Sequence, residues 1–246
     1  MYDILVEMPK LSIIIPALNE EKNLPLLLES IKKQEFKDYE IIVADAGSQD
    51  NTVKIALRYD CTVVPGGHPG KGRNEGAKAA HGDELLFVDA DVLFPEGFLG
   101  KFLKEVRKRN LDCAGAGLRA HGETLWYELG IWCWNLYFLL TQRVFPHASN
   151  CIYATRQLHD QIAGFDEDIK FGEDCVYARK AAKVGTFRYL SNIFCYVSLR
   201  RVRKEGLPRF LFKYIYAELQ MLVLRKNITH EHEFEYHFDH YSEKKK

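Results

Sequence analysis

The sequence predicts an α/β domain on a mostly parallel, Rossmann-like central sheet with helices on both faces, and three observations support this. Continuous apolar runs of strand length occur at Leu11–Ile15, Glu40–Ala44, Cys61–Val64 and Leu85–Val88, each stopped by a Pro or Asp. Helical segments fill the gaps between them, at Glu20–Gln34, Asn51–Tyr59 and Lys71–Ala80. Strands that are apolar without alternation must be covered on both faces, which parallel strands with crossover helices achieve. Third, polar residues follow the strands directly: Asn19 and Glu20, then Asp45 with Gly47 and Ser48, then Asp89 and Asp91. Ligands of such sheets bind beyond the carboxyl ends of the strands, so these residues are expected to share one crevice.

The second half is less regular. A helix is expected from Pro95 to about Arg109, then a Gly-rich segment at Cys113–Leu118, then an apolar stretch at Leu125–Leu140. That stretch holds Trp126, Tyr127, Trp132, Trp134, Tyr137 and Phe138. Glu128 and Asn135 interrupt it, and a spanning helix needs roughly 20 mostly apolar residues. It suits a buried helix or one lying at a membrane interface, and burial is the expectation. Gly172-Glu173-Asp174 opens a further helix running to about Lys183.

Beyond Ser198 the composition shifts, with eight basic residues against two acidic ones up to Lys226. Leu207, Phe210, Leu211, Tyr214, Ile215, Leu219, Leu222 and Val223 follow helical spacing, which predicts a C-terminal basic amphipathic helix within residues 199–228. The tail, 229–246, is polar and His-rich, with no core-forming period.

The 246 residues suffice for one large core. Basic and acidic residues balance at 34 each, which argues against nucleic acid as a partner. The six scattered cysteines show no CxxC pair and read as reduced core thiols. The first apolar run stops at Pro16, too short for a signal segment. A cytoplasmic protein is expected.

Asp89-Ala90-Asp91 follows a buried strand, where two carboxylates can hold a Mg²⁺ or Mn²⁺ ion that shares its ligation with phosphate oxygens. Alone, the D-x-D spacing is more often that of two exposed loop carboxylates, and its position after a buried strand is what favours a metal site. Arg73, in Gly70-Lys71-Gly72-Arg73-Asn74, stands at a Gly-flanked helix start, a setting that suits a diphosphate, with Lys71 beside it. No GxxxxGK[ST] motif occurs, so a P-loop is excluded. Asn19 and Glu20 suit a helix start, and Ser48 and Asp50 a turn and cap before Asn51. Asp45 is the better candidate for ligand contact.

Five elements in order carry a resemblance: Ile15-Pro16-Ala17-Leu18-Asn19-Glu20, Asp45-Ala46-Gly47-Ser48-Gln49-Asp50-Asn51-Thr52, Gly72-Arg73-Asn74-Glu75-Gly76, Asp89-Ala90-Asp91 and Glu173-Asp174. Over about residues 10 to 200 the chain resembles glycosyltransferase family 2, which implies a GT-A fold and inverting transfer of a sugar from a nucleotide diphosphate donor, a UDP- or GDP-sugar. The resemblance divides residues 1–198 into a nucleotide-sugar-binding half, 10–94, and an acceptor-side half, 95–198.

It implies donor contacts at Pro16, Ala17, Asn19, Glu20, Asp45, Arg73, Asp89, Ala90 and Arg201, and metal ligation by Asp91. It implies a catalytic pair, Glu173 and Asp174, with Asp174 as the base that takes the acceptor's proton. The dipole-favoured acidic first turn of a helix would account for the same pair without catalysis. Where many members have two acids before the glycine, the second position here is Ala46, which leaves the base of the nucleotide open.

The Q-x-x-R-W element of processive members is absent around Arg200-Arg201-Val202-Arg203-Lys204, which points to a single addition. That basic segment suits a diphosphate clamp and anionic lipid heads equally. A lipid-linked or glycan acceptor at the inner face of the cell membrane is expected. The alternatives are a polyprenyl-phosphate glycosyltransferase and a non-catalytic nucleotide-sugar-binding protein. A sugar-phosphate nucleotidyltransferase would carry a GxGxRxxP-type loop after the first strand, where this chain has Pro16-Ala17-Leu18-Asn19-Glu20. His147 and the tail histidines are not assigned to a site.

Overall fold

The computed structural model describes residues 10–120, 125–169, 171–206, 209 and 212–216. The tail at 229–246 and most of the expected C-terminal helix lie outside these residues. One eight-stranded sheet organises the described chain. Its strands are β1 (Leu11–Ala17), β2 (Tyr39–Asp45), β3 (Thr62–Pro65), β4 (Glu84–Val88), β5 (Val92–Leu93), β6 (Cys113–Ala120), β7 (Cys151–Thr155) and β8 (Phe187–Val197), in the spatial order β3-β2-β1-β4-β7-β6-β8-β5.

The first four strands form the parallel block that the sequence predicts. Beyond β4 the sheet is mixed: β7 runs antiparallel to β4 and β6, β8 runs parallel to β6, and β5 closes the edge antiparallel to β8.

Every residue of β1 is buried, as a strand covered on both faces requires. Successive side chains point to opposite faces. Ile13 and Ile15 therefore join a core layer with Leu24, Leu27, Leu28 and Ile31 of α1 (Leu24–Lys32) and with Phe98 and Phe102 of α4 (Phe98–Lys108). Ile14 joins the opposite layer with Phe87, Phe165 and Tyr177, the last from α7 (Glu173–Val184).

The helix α3 (Pro69–Ala79) lies against β1 at unusually close range. A Cβ built on Gly76 would fall 2.4 Å from Cγ2 of Ile14, a contact that only glycine permits. The glycines around Arg73 thus serve packing as well as any role toward a ligand.

The strands of the second half escaped sequence reading. The Gly-rich segment at Cys113–Leu118 is β6, whose small residues give no period, and its pairing with β8 shifts register between Ala116 and Gly117. The short helix α6 (Arg156–Gln161) and strand β7 have no signal of their own.

The aromatic stretch forms α5 (Leu125–Thr141), but it is not buried, and that expectation is corrected. Only Phe138 is fully covered, whereas Trp126 is 77% exposed and Trp132 59%. The sheet offers it a narrow contact: Asn135 bonds both the N–H and the C=O of Leu118 on β6 and accepts from the hydroxyl of Tyr189 on β8, leaving most of the helix outward. Cys133, carried on it, is exposed, while the other five cysteines are buried free thiols. No helix among the described residues is long and apolar enough to cross a membrane.

Candidate active site

The carboxyl ends of β1, β2 and β4 open on one side of the sheet. Register pairs Ala17 with Asp45, so the ends of β1 and β2 lie side by side. The loops that follow are stitched together: the N–H of Asn19 donates to Oγ of Ser48 at 2.9 Å, and Oδ1 of Asn19 accepts from the N–H of Gln49 at 2.8 Å. Glu20 N–H donates to Thr52 Oγ1 and Glu21 N–H to Asp50.

Asn19 reaches this position at φ 54°, a left-handed conformation that asparagine tolerates better than most residues. It does not cap a helix, because α1 begins only at Leu24. Ser48 and Asp50 hold the structural turn expected of them, with Asp50 Oδ1 accepting from the N–H of Thr52 at the start of α2 (Thr52–Arg58).

Asp45 is held by one oxygen. Its Oδ2 accepts from the N–H groups of Gly47 and Ser48, both at 3.0 Å, in a turn that Gly47 makes at φ 90°. Its Oδ1 is buried with no hydrogen-bond partner in the structure. A buried acceptor left so is costly unless a donor meets it, which keeps Asp45 a candidate for ligand contact.

Arg73 is the central cation. Its guanidinium, 4% exposed, donates to Oδ1 of Asp89 at 2.7 Å and to Oε1 of Glu173 at 2.6 Å. Burial disfavours the cation, but the charges of Asp89, Glu173 and Asp174 outweigh it and push the arginine's pKa up. Helix α3 starts at Pro69, a turn before Arg73, so it is the side chain rather than the helix terminus that meets these acids.

The adjacent Asn74 clamps the segment leading to α7, donating to the C=O of Phe165 and to Glu167, each at 2.9 Å, and accepting from the N–H of Phe165 at 2.8 Å. The Arg-Asn pair thus fixes both the carboxylate of β4's end and the approach to Glu173-Asp174.

The two aspartates after β4 differ. Asp89 is bonded through both oxygens, to Arg73 and to Nδ2 of Asn150 at 3.0 Å, while its N–H donates to the C=O of Asn150. Asp91 has no such direct pair among the described residues; its Oδ2 lies 3.6 Å from Nη2 of Arg200. Burial, then the neighbouring charge of Asp89, pushes the Asp91 carboxyl up to about 7 against the pull of Arg200.

Ala90 between them is buried at 5% exposure. Pro16 and Ala17 are likewise buried at the end of β1. Asp174 opens α7 beside Glu173. Burial first, then Glu173, pushes its carboxyl up to about 7, opposed by Arg73 and by the N–H of Cys175 at 2.7 Å.

The structure therefore brings Arg73, Asp89, Glu173 and Asp174 together, with Asp91, Glu20 and Arg200 adjoining. The side chain of Arg201 lies outside the described part, and the arginine seen at this place is Arg200, bound to Glu20 at 2.8 Å. Asn150 was missed as a site residue because 61 positions separate it from Asp89; only the antiparallel pairing of Val88 with Cys151 places it there. His147 is fully buried against Tyr137 and Phe138, a packing role.

The profile of "Glycosyl transferase family 2" matches residues 12–163, more than half of the chain. The chain belongs to this family. Staphylococcus aureus poly(ribitol-phosphate) β-N-acetylglucosaminyltransferase TarS is 30% identical over 189 residues, 71% of this chain and 32% of that protein. Human dolichyl-phosphate β-glucosyltransferase is 32% identical over 137 residues, 46% of this chain and 42% of that enzyme. The chain thus spans less than half the length of these family 2 relatives.

Among solved structures, residues 1–349 of S. aureus TarS superpose with a TM-score of 0.63 at 24% identity, covering 86% of this chain and 65% of that one. The Pyrobaculum calidifontis mannosyltransferase in complex with GDP-Man and Mn²⁺ superposes at 0.70 with 20% identity, covering 92% and 67%. At these identities the likeness establishes the GT-A fold of the family 2 chain and nothing finer.

Proposed function

We propose that this chain is an inverting glycosyltransferase that moves a single sugar from a UDP- or GDP-sugar to the hydroxyl of a lipid-linked or glycan acceptor, working peripherally at the cytoplasmic face of a membrane. One observation carries the reading: Arg73 joins Asp89, at the end of β4, to Glu173, 84 residues further along the chain, and so sets the Asp89-Ala90-Asp91 segment beside Asp174. A donor-holding carboxylate pair and a candidate base then face the same crevice.

In this reading the donor base and ribose lie against Pro16 to Glu20 and the buried Oδ1 of Asp45, which accepts from an N–H of the base. Asp174 takes the acceptor hydroxyl's proton as the oxygen attacks the anomeric carbon, and the nucleoside diphosphate leaves from the opposite face. A pKa near 7 suits a base that must accept and then release a proton at neutral pH. Glu173 and Asp89, held by Arg73, keep their orientation through the step.

The residues present fit a Mg²⁺ or Mn²⁺ ion of the kind held by one or two carboxylates together with phosphate oxygens. Asp91 offers the carboxylate, and no cluster of three or more such side chains among the described residues would hold an ion without the donor. The ion would stabilise charge on the departing diphosphate. Arg200, 3.6 Å from Asp91, would contact the same phosphates.

A carrier-phosphate acceptor is the second reading, favoured by the human dolichyl-phosphate enzyme among the relatives. A phosphate acceptor arrives ionised and needs no base, so Asp174→Asn separates the two. The founding test is release of nucleoside diphosphate from a panel of UDP- and GDP-sugars with total membrane lipid, with and without Mn²⁺. Absence of both release and metal-dependent donor binding would overturn the enzyme reading, and binding without release would indicate a non-catalytic nucleotide-sugar-binding protein.

A further inference from the structure

A helix that is apolar on all sides belongs in a core or against lipid. The 17-residue α5 carries a single charged residue, Glu128, yet lies on the surface with Leu125, Trp126, Leu129, Trp132, Leu136 and Leu140 exposed. Contiguous apolar surface of this kind marks an interaction site. The same side holds a groove of about 420 Å³ between α5, β6 and β8, walled by Leu118, Leu129, Trp132, Leu136 and Phe194, with Arg119 at it. Asn135 ties the helix along the sheet through Leu118 and Tyr189, so it lies flat rather than standing out as a span.

The border of this face is basic. The helix α8 (Arg200–Glu205) packs against Tyr127 and Ile131 of α5 through Leu199 and Val202, and carries exposed Arg203 and Lys204. Arg143 is exposed just past the C-terminal end of α5. Residues 212–216 also join it, with Tyr214 against the Trp134 ring at 5.1 Å, and add exposed Phe212 and Ile215.

Aromatic and aliphatic side chains flanked by exposed cations match an anionic bilayer surface, where rings sit at headgroup level and lysine and arginine meet lipid phosphates. A second copy of this chain fits less well, because two-fold packing of like surfaces would bring the basic borders together.

We infer that the exposed face of α5, with its basic border from α8 and Arg143, is the surface by which this protein docks on an anionic lipid bilayer. The inner face of the same helix rests on the active-site loop: Phe138 stacks on His147 at 4.7 Å, and Asn150, three residues on, holds Asp89. Docking through α5 would bring the crevice close to the bilayer, where a lipid-linked acceptor presents its hydroxyl. The use of the surface rests on the acceptor reading proposed above; its existence does not.

All three tryptophans of the chain, Trp126, Trp132 and Trp134, lie on α5, so tryptophan fluorescence, excited selectively over tyrosine, reports on this helix alone. The full chain is mixed with phosphatidylcholine vesicles, with or without phosphatidylglycerol, and followed by emission and by co-sedimentation. A blue shift and sedimentation with the phosphatidylglycerol vesicles are expected, falling roughly tenfold or more in the double variant Leu129→Glu, Leu140→Glu, which keeps every tryptophan. Arg143→Glu with Lys204→Glu is expected to weaken binding to anionic vesicles only.

Unchanged emission and no sedimentation of the wild-type chain would overturn the inference, as would variants that bind like wild type. So would a dimer, seen by analytical ultracentrifugation, that the Leu129→Glu, Leu140→Glu change dissolves and vesicles do not. Circular dichroism checks that the variants are folded. Vesicle binding is read without donor, and nucleoside diphosphate release with the membrane lipid dispersed in detergent rather than as vesicles, so failure of one is distinguishable from failure of the other.

Discussion

Arg200 donates from Nη2 to Oε1 of Glu20 at 2.8 Å, joining the turn after β1 to the segment after β8 across 180 residues of chain. Glu20 also accepts from Nδ2 of Asn23 at 2.6 Å, so its carboxylate is held from two sides, and the guanidinium it holds is kept 3.6 Å from Asp91. Arginine's fixed fork makes such a pair directional in a way that lysine cannot reproduce. Arg200→Ala is expected to raise the donor KM about tenfold or more, the loss of one charge-assisted contact. Arg201→Ala, run beside it, is expected to change the donor KM less. The two steady-state measurements decide which arginine of the basic run serves the donor.

Asp91→Asn should split activity from stability. Loss of the carboxylate is expected to abolish metal-dependent release of nucleoside diphosphate. Burial pushes the Asp91 carboxyl up to about 7 from an ordinary value of 3.8, so the cost of its charge to the folded state grows as the pH rises above 3.8 and is felt in full above 7. The metal-free variant is therefore expected to melt at or above the wild-type temperature at pH 7.5, as scanning calorimetry in chelator would register.

For Asp174 the active form is the carboxylate. With its pKa at about 7, the rate on a hydroxyl acceptor should fall about tenfold per pH unit below that value and level off above it. Asp174→Asn is expected to keep donor affinity and lose several orders of magnitude in kcat. A pH–kcat profile that stays flat from 5.5 to 8.5 would remove Asp174 from the role of base.

Arg73 bonds Asp89 and Glu173 in a buried position, and removing one partner of such an arrangement leaves uncompensated charge behind. Arg73→Ala is expected to cost about 3–5 kcal/mol of stability. Arg73→Lys should recover part of the stability but little of the activity, because an ammonium lacks the fixed fork whose two nitrogens bond Glu173 and Asp89 separately. Urea denaturation and single-turnover assays on the same preparations measure the two effects.

Gly76→Ala tests the support beneath Arg73. The new Cβ would meet the buried Ile14 side chain at 2.4 Å, and Ile14, on a fully buried strand, has nowhere to move. The expected cost is about 1–3 kcal/mol, the usual range for overpacking a core. Because α3 would be lifted from β1, donor binding should weaken as well, which isothermal titration with a UDP- or GDP-sugar would follow.

The parallel half of this protein was legible in the sequence, because β1, β2 and β4 are largely apolar runs cut by Pro or Asp, a local pattern that suffices for buried strands, and the edge strand β3, though partly exposed, is a short β-branched run cut by Pro65. The same runs marked Asp45, Asp89 and Asp91 as crevice residues, since a parallel strand ends where ligands bind.

Only the tertiary structure decided the rest. Strands β6, β7 and β8 take their place from pairing with distant partners, so Asn150 meets Asp89 and Arg200 meets Glu20 without any signal in spacing. The exposure of α5 was equally beyond reach of the sequence, because an apolar helix reads the same whether its neighbours are side chains or lipid. What separates the two is how much of the helix the sheet has room to cover.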